Sequence, residues 1–390
     1  MWLDGLKILD LTRLLPGPYA TMLLSDMGAD VLKVEDPALG DYSRSMEPIG
    51  ADGMNEVFHM INRGKRSLAL NLQTEEGRDL FYRLVEDADV VFEQFRPGVA
   101  ERLGIDYESL CEVNPELIYC SLSGYGQEGP YSGRVGHDLN YIGVGGLLGM
   151  NRSDVDERPT IPGTMFADLA GGIFAAFAIL GAITSRSLGN SDGDYIDVSM
   201  TDTVLALAQI PKGLVRGAPR PGRTLNTGAF PWYDVYETAD GEYVTLAAAE
   251  PKFWERFCKR IRKEHLTDEH TVDTEQLSEE RRDEIRREVA SYFRSKTQAD
   301  VVDALADDET MVAEVNTLME AFDDPQIRSR GIVEGGEAVP LRVRFPANVS
   351  SGLQSTYERP PELGEHTDKV MQSMGLDPAD IEGLRERDVI

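Results

Sequence analysis

The residues of this chain best able to do chemistry fall into two groups. The first is His137-Asp138, after the loop Gly133-Arg134-Val135-Gly136, together with Asp168, where a long apolar helix pattern begins. Imidazole and carboxylate side chains are the usual proton carriers of general acid–base catalysis. A carboxylate at a helix N-terminus is also stabilised by the dipole and free N–H groups. Taken alone, Asp168 reads as an ordinary first-turn residue and His137 as a satisfied loop histidine. The second group is basic. Arg63, Lys65 and Arg66 precede the strand pattern Ser67 to Leu72. Arg96 follows the strand that ends at Phe95, and Arg102 stands about a helical turn beyond. Cations near element ends in an α/β sheet are placed to meet a phosphorylated ligand. Composition supports equally well that they balance nearby carboxylates.

Other chemistries lack their residues. The first βα turn, Leu11 to Pro18, and the cluster Gly143, Gly145, Gly146, Gly149 both miss the Gly-x-Gly-x-x-Gly spacing, which disfavours NAD and FAD. There is no Walker loop, no His-Glu-x-x-His and no Gly-x-Ser-x-Gly elbow, and the five histidines are scattered. No metal or redox cofactor is expected. Cys111, Cys120 and Cys258 are odd in number and widely spaced. They read as small buried hydrophobes in a reducing compartment.

The elements that must hold these groups follow a βαβ rhythm over the first 200 residues. Leu6 to Leu11, Val31 to Val34, Ser67 to Leu72, Val90 to Phe95, Leu117 to Leu122 and Tyr195 to Val198 read as strands with helices between them. Thr74 caps one of those helices. The pattern predicts a mostly parallel, Rossmann-like sheet. A large domain is expected over 1–205, completed by about 330–390. A Gly/Arg/Pro-rich linker is expected at 206–224 and a smaller α+β domain over 225–325. The acidic stretch 264–310 reads as a solvated face.

The formal charge is −29, from 68 acidic and 39 basic residues. Such a field argues against nucleic acid or an anionic membrane as the main partner. It fits a halophilic, archaeal protein, in which salt screens self-repulsion. The chain starts in a strand pattern with no charged leader. Its longest apolar run, Leu169 to Ile183, is short for a bilayer span and reads as a buried helix, with Gly171 and Gly172 admitting a neighbour. A cytoplasmic location is expected.

Taken together, several segments resemble the class III CoA-transferase superfamily (CaiB/BaiF type), within it the alpha-methylacyl-CoA racemase branch. They include Leu14-Leu15-Pro16-Gly17-Pro18, Asn62 to Ser67, Phe95-Arg96-Pro97-Gly98 and Arg102-Leu103-Gly104. Ser123 to Gln127, Gly136-His137-Asp138-Leu139-Asn140-Tyr141, Ala167 to Gly172, Ala249-Glu250-Pro251 and Gly364 to Thr367 follow in order. The resemblance spans nearly the whole chain. It implies a CoA-binding α/β domain, a smaller domain, and two chains interlocked as a homodimer with each site between subunits. It assigns CoA binding to Arg63, Lys65, Arg66, Phe95, Arg96 and Arg102, with CoA as part of an acyl-CoA substrate.

The superfamily holds two chemistries. In the transferases the aspartate matching Asp168 attacks an acyl-CoA thioester. In the racemases that aspartate and a histidine matching His137 exchange the proton alpha to the thioester through an enolate. The His137 loop is the racemase version. Glu250 matches the acid that orients the histidine, and Asp138 supports the loop. Epimerisation of 2-methylacyl-CoA is therefore expected, with CoA transfer as the alternative. Three positions depart from the pattern. Thr164 stands where racemases tend to have Asn. Asp36 stands where the second strand often ends in a CoA-binding Arg, for which Arg44 is the candidate substitute. Asn62-Arg63-Gly64-Lys65-Arg66 is common among transferases. Tyr125, Tyr141, Met150, Phe230, Trp232 and Tyr233 read as ordinary core before they read as acyl pocket.

Overall fold

Short runs of apolar and β-branched residues, buried on both faces, form six parallel strands. They are β1 (Lys7–Asp10), β2 (Asp30–Glu35), β3 (Arg66–Ala69), β4 (Val90–Glu93), β5 (Ile118–Ser123) and β6 (Asp194–Ser199). The sheet order is β3-β2-β1-β4-β5-β6, every neighbour pair parallel. This is the doubly wound order expected from the βαβ rhythm. It reverses between β1 and β4, so the loops at their carboxyl ends diverge and open a crevice. The computed structural model describes all residues except 51–52, 153–157, 215–216, 218, 308, 336–340 and 351–358.

The helices that position the site are α1 (Pro16–Asp26), α2 (Asp138–Val144) and α3 (Phe166–Ser187). A Cβ at Gly172 would come within 2.5 Å of the Pro16 carbonyl, so glycine there lets α3 lie directly on the start of α1. At 22 residues and mean hydropathy 2.0, α3 is long and apolar enough to cross a membrane. Length therefore does not exclude a span, contrary to the expectation from the shorter apolar run. Its stripe through Ala167, Ala170, Ala175, Ile179 and Ala182 is buried inside the protein, while Ile173 and Phe177 are 49% and 71% exposed.

Two compact units divide the chain. One holds residues 1–145, 163–205 and 326–390, and the other holds 146–162 and 206–325. Thus 146–162 groups with the second unit, for which periodicity carries no signal. The segment expected as a linker contains the helix Ile210–Gly213 and groups there too. In the first unit, Val370, Met371, Ile381 and Leu384 from the C-terminal helices enter a core cluster that holds residues of β1 to β5. The second unit has an antiparallel sheet, β7 (Tyr233–Glu237), β8 (Tyr243–Ala247) and β9 (Val312–Glu314). Its core stacks Phe230 on Trp232 and includes Trp254, Phe257 and Phe293. Phe230 and Trp232 are fully buried core residues. Cys120 and Cys258 are buried free thiols, and Cys111 is half-buried.

Four charges lie buried beneath the carboxyl ends of β1 and β2. Lys33 pairs with Asp41 at 2.9 Å, and Lys65 pairs with Asp10 at 3.2 Å. Burial would push Asp10 up, but Lys65 and Lys33 hold its carboxyl down at about 2. The network fixes two loops. Lys33 Nζ donates to the Thr12 carbonyl at 2.7 Å, and Asp41 Oδ1 accepts from the Leu14 amide at 3.1 Å. Leu14 has φ +64°, a strained setting for a branched residue, and Asp41 supports it. Asp41→Ala would remove the ion-pair partner of buried Lys33 and leave it to Asp10 and Glu35, which are already paired with Lys65 and Arg44. It is expected to cost about 3–5 kcal/mol in urea unfolding. A loss below about 1 kcal/mol would place the network outside the stability of the fold.

Candidate active site

The loop before α2 and the first turn of α3 meet through one carboxylate. Asp138 Oδ1 accepts from the Ala167 amide at 2.6 Å and from the Asp168 amide at 3.3 Å. It thereby satisfies first-turn donors that no intrahelical carbonyl can reach. This bond brings His137, one residue before Asp138, to the end of α3 that carries Asp168. Asn140 Oδ1 accepts from the His137 amide at 3.1 Å and fixes the chain there. Tyr141 donates its hydroxyl to the Gly136 carbonyl at 2.6 Å. Its ring fills the space where a Cβ at Gly136 or Gly124 would stand, at 2.8 and 2.4 Å. The glycines of the two motifs are thus required by one tyrosine ring.

Asp168 is half-buried, and its carboxyl is raised to about 7, first by burial and then by Asp138. It can hold or release a proton near neutral pH, which suits both acid–base work and an activated carboxylate nucleophile. His137 is exposed and available to a ligand. Burial and Asp168 raise Tyr141 to about 12, so it remains a protonated donor; Arg96 lies within the same field. Glu250 belongs to the second unit, where it is exposed and precedes α4 (Pro251–Arg260) as its N-cap. Thr164 is exposed in the bend before α3.

A cavity of about 470 Å³ opens at the carboxyl ends of β1–β4, where open α/β sheets bind ligands. Its wall includes Phe95 and Arg102, two of the residues that the family resemblance assigns to CoA, and also Arg13 and Arg78. Arg13 is held by Tyr42, its Nη1 donating to the phenol oxygen at 3.0 Å, and lies over the rings of Tyr42 and Phe95. Among the described residues, Arg13, Arg78 and Arg102 form no ion pair. The wall also carries Glu35, Asp36 and Asp41, but Glu35 is paired with Arg44 and Asp41 with Lys33. Among the described residues, three arginines thus face one carboxylate without an ion pair, an excess of positive charge suited to an anion.

The remaining expected CoA-binding cations are placed differently. Arg63 is buried and clamps Asp26 at 2.6 and 3.2 Å. Lys65 is buried on Asp10, Asn62 and the Pro18 carbonyl. Arg66 stands at the amino end of β3, opposite the cavity, and clamps Asp30. The structure therefore follows, for these three, the reading in which they balance carboxylates. Arg96 is exposed beyond β4, on the Asp168 side. Arg44, the candidate to replace a cation at Asp36, is taken by Glu35 and lies over the Phe58 ring. Asp36 itself caps a turn, accepting from the Ala38 and Leu39 amides. Arg13 and Arg78 belong to no quoted motif. Their signal is position, just past β1 and in the helix after β3. Among the described residues no group of three or more His, Cys, Asp or Glu side chains is arranged to hold a metal.

A parallel sheet with arginines around the crevice at its switch point, together with a helix-borne aspartate of raised pKa, is what an α/β enzyme with an anionic ligand would need. The chain belongs to CoA-transferase family III, whose model matches residues 3–367. It is 35% identical to a succinate–glutarate CoA-transferase of Agrobacterium fabrum, covering 95% of each chain. It is 32% identical to the alpha-methylacyl-CoA racemase of Homo sapiens, covering all of this chain and 98% of that one. The crystal structure of a CaiB/BaiF family protein from Brucella suis superposes with TM-score 0.80 at 31% identity, over 95% of this chain and 99% of the other.

Proposed function

We propose that this protein is an acyl-CoA racemase that epimerises C2 of 2-methylacyl-CoA thioesters. The observation that carries the reading is the tie from Asp138 to the first turn of α3. It supports the reading by bringing the loop that carries exposed His137 to the first turn of α3, where the Asp168 carboxyl is held near 7. One of the pair removes the C2 proton, giving an enolate, and the other returns a proton to the opposite face. The 3′-phosphate and pyrophosphate of CoA bind in the β1–β4 cavity against Arg13, Arg78 and Arg102. Phe95 lines the same wall. Asp138 positions the loop. Glu250 orients His137 of a second copy in an interlocked homodimer, and the exposed Ile173 and Phe177 of α3 support such an interface.

Incubation of a 2-methylacyl-CoA in deuterated, high-salt buffer is expected to incorporate one deuterium at C2 and to equilibrate the epimers. CoA transfer to an added free acid with no C2 exchange would overturn the reading. That outcome defines the second reading, favoured by the CoA-transferase relative at 35% identity. In it ionised Asp168 attacks the thioester carbonyl and expels the CoA thiolate, leaving a mixed anhydride. The thiolate then attacks the aspartyl carbonyl of the anhydride and expels the donor acid, leaving an aspartyl-CoA thioester. A second carboxylate attacks that thioester to form a new anhydride and free the thiolate, which attacks the acceptor carbonyl, giving the new acyl-CoA and regenerating Asp168.

A further inference from the structure

The carboxyl end of β4 holds an acid that the proton transfer does not use. Glu93, the last residue of β4, is only 3% exposed. The Phe95 amide donates to its Oε2 at 2.5 Å, and the Ser121 hydroxyl donates to it from β5. In register, Glu93 stands beside Ser121, and Ser121 beside Asp197 on β6. Gln127 ties the row together, donating from Nε2 to Ser121 at 2.6 Å and from its amide to Asp197 at 2.9 Å. On the same face of β5, the Tyr119 hydroxyl is buried with no hydrogen-bond partner among the described residues. Cys120, Tyr195, Glu101, Asp106, Asp202 and Glu128 also act on members of this cluster, and every one named here is an acid. Burial raises the Glu93 carboxyl to about 7.

Phe95 connects this row to the cavity. Its amide is held by Glu93 and its ring lines the wall beneath Arg13, 5.6 Å away. We propose that Glu93 is a positioning residue for the CoA site, holding the Phe95-Arg96 turn through the Phe95 amide and weakening CoA binding when it ionises. The inference rests on the reading of the cavity as a CoA site. Either protonation state can accept from the amide, so the tie persists; what changes is the charge behind the wall. Ionised Glu93 adds a negative charge behind Phe95, and that charge repels the phosphates. Its pKa is raised, so it is neutral below about 7 and ionises above. CoA affinity therefore falls as pH rises through that range.

Calorimetric titration of free CoA into the full chain between pH 6 and 8.5 tests this, because wild type and variants meet the same ligand ionisation. The wild-type Kd is expected to rise by up to about 10-fold relative to Glu93→Gln, which keeps an acceptor oxygen but cannot ionise. Glu93→Leu removes the acceptor and is expected to bind about 10-fold more weakly than Glu93→Gln at every pH. A Glu93→Gln variant that follows the wild-type profile overturns the proposal and leaves the CoA site standing. So does a Glu93→Leu variant that binds as Glu93→Gln does. Wild type that binds no CoA overturns both. Should Glu93→Leu fail to fold, the Glu93→Gln profile decides alone.

Discussion

Replacing His137 by alanine is expected to slow deuterium incorporation at C2 by about 10²–10⁴-fold, the usual worth of a positioned proton carrier. Two-base chemistry needs a carrier on each face of C2, and Asp168 alone cannot serve both. The substitution removes no buried side chain, since His137 is exposed, so the loss appears in kcat without loss of fold. Asp168→Asn is expected to abolish exchange as well. The two readings of the site part on the pH profile. An epimerase pair must carry one proton between its members, so kcat/KM is bell-shaped and has the same shape for both epimers. One limb falls near 7, where burial and Asp138 hold the Asp168 carboxyl. A transferase needs only ionised Asp168, so its rate climbs through about 7 and levels off. A single rising limb, with His137→Ala retaining most activity, would end the racemase reading.

Arg102→Ala and Arg78→Ala are each expected to raise KM for acyl-CoA by about 10–100-fold, since a charge-assisted hydrogen bond is worth roughly 1.5–3 kcal/mol. kcat should change little, because these groups hold a part of the substrate remote from C2. Neither arginine has an ion-pair partner among the described residues, so removing one strands no carboxylate. The expectation reverses for Arg63 and Lys65. Each is buried against an aspartate, and its removal should lower stability by several kcal/mol with KM a secondary effect. Michaelis constants and urea unfolding on the same four variants separate the two outcomes. An unchanged KM in Arg102→Ala together with a raised KM in a folded Lys65→Met would return the phosphate role to the expected cluster. Binding at the cavity should also survive molar salt better than surface ion pairs do, because Arg13 and Arg78 are half-buried and screened less than exposed charges.

The parallel sheet was legible in the chain because strands buried on both faces leave continuous apolar runs separated by turn residues. All six expected strand patterns appear within a few residues of their sequence positions. The order of motifs also sufficed for the family, and the matched blocks placed His137, Asp138 and Asp168 before any geometry was known. Glu250 is singled out by the same resemblance, but sequence spacing carries nothing about which groups it faces.

Residue type alone could not decide how the charges divide their work. A lysine or arginine before a strand reads the same whether it faces phosphate or aspartate. Arg63, Lys65 and Arg66 became partners of Asp26, Asp10 and Asp30 only when the sheet brought distant segments together. Arg13 and Arg78 were equally invisible, because their value comes from lying at the carboxyl ends of strands without a counter-ion. The raised pKa of Asp168 and of Glu93 is likewise a product of burial, which no local spacing encodes. The charge of −29 belongs to the sequence by itself. The cluster of arginines around the cavity exists only in the fold, because pairing and desolvation depend on contacts between residues far apart in the chain.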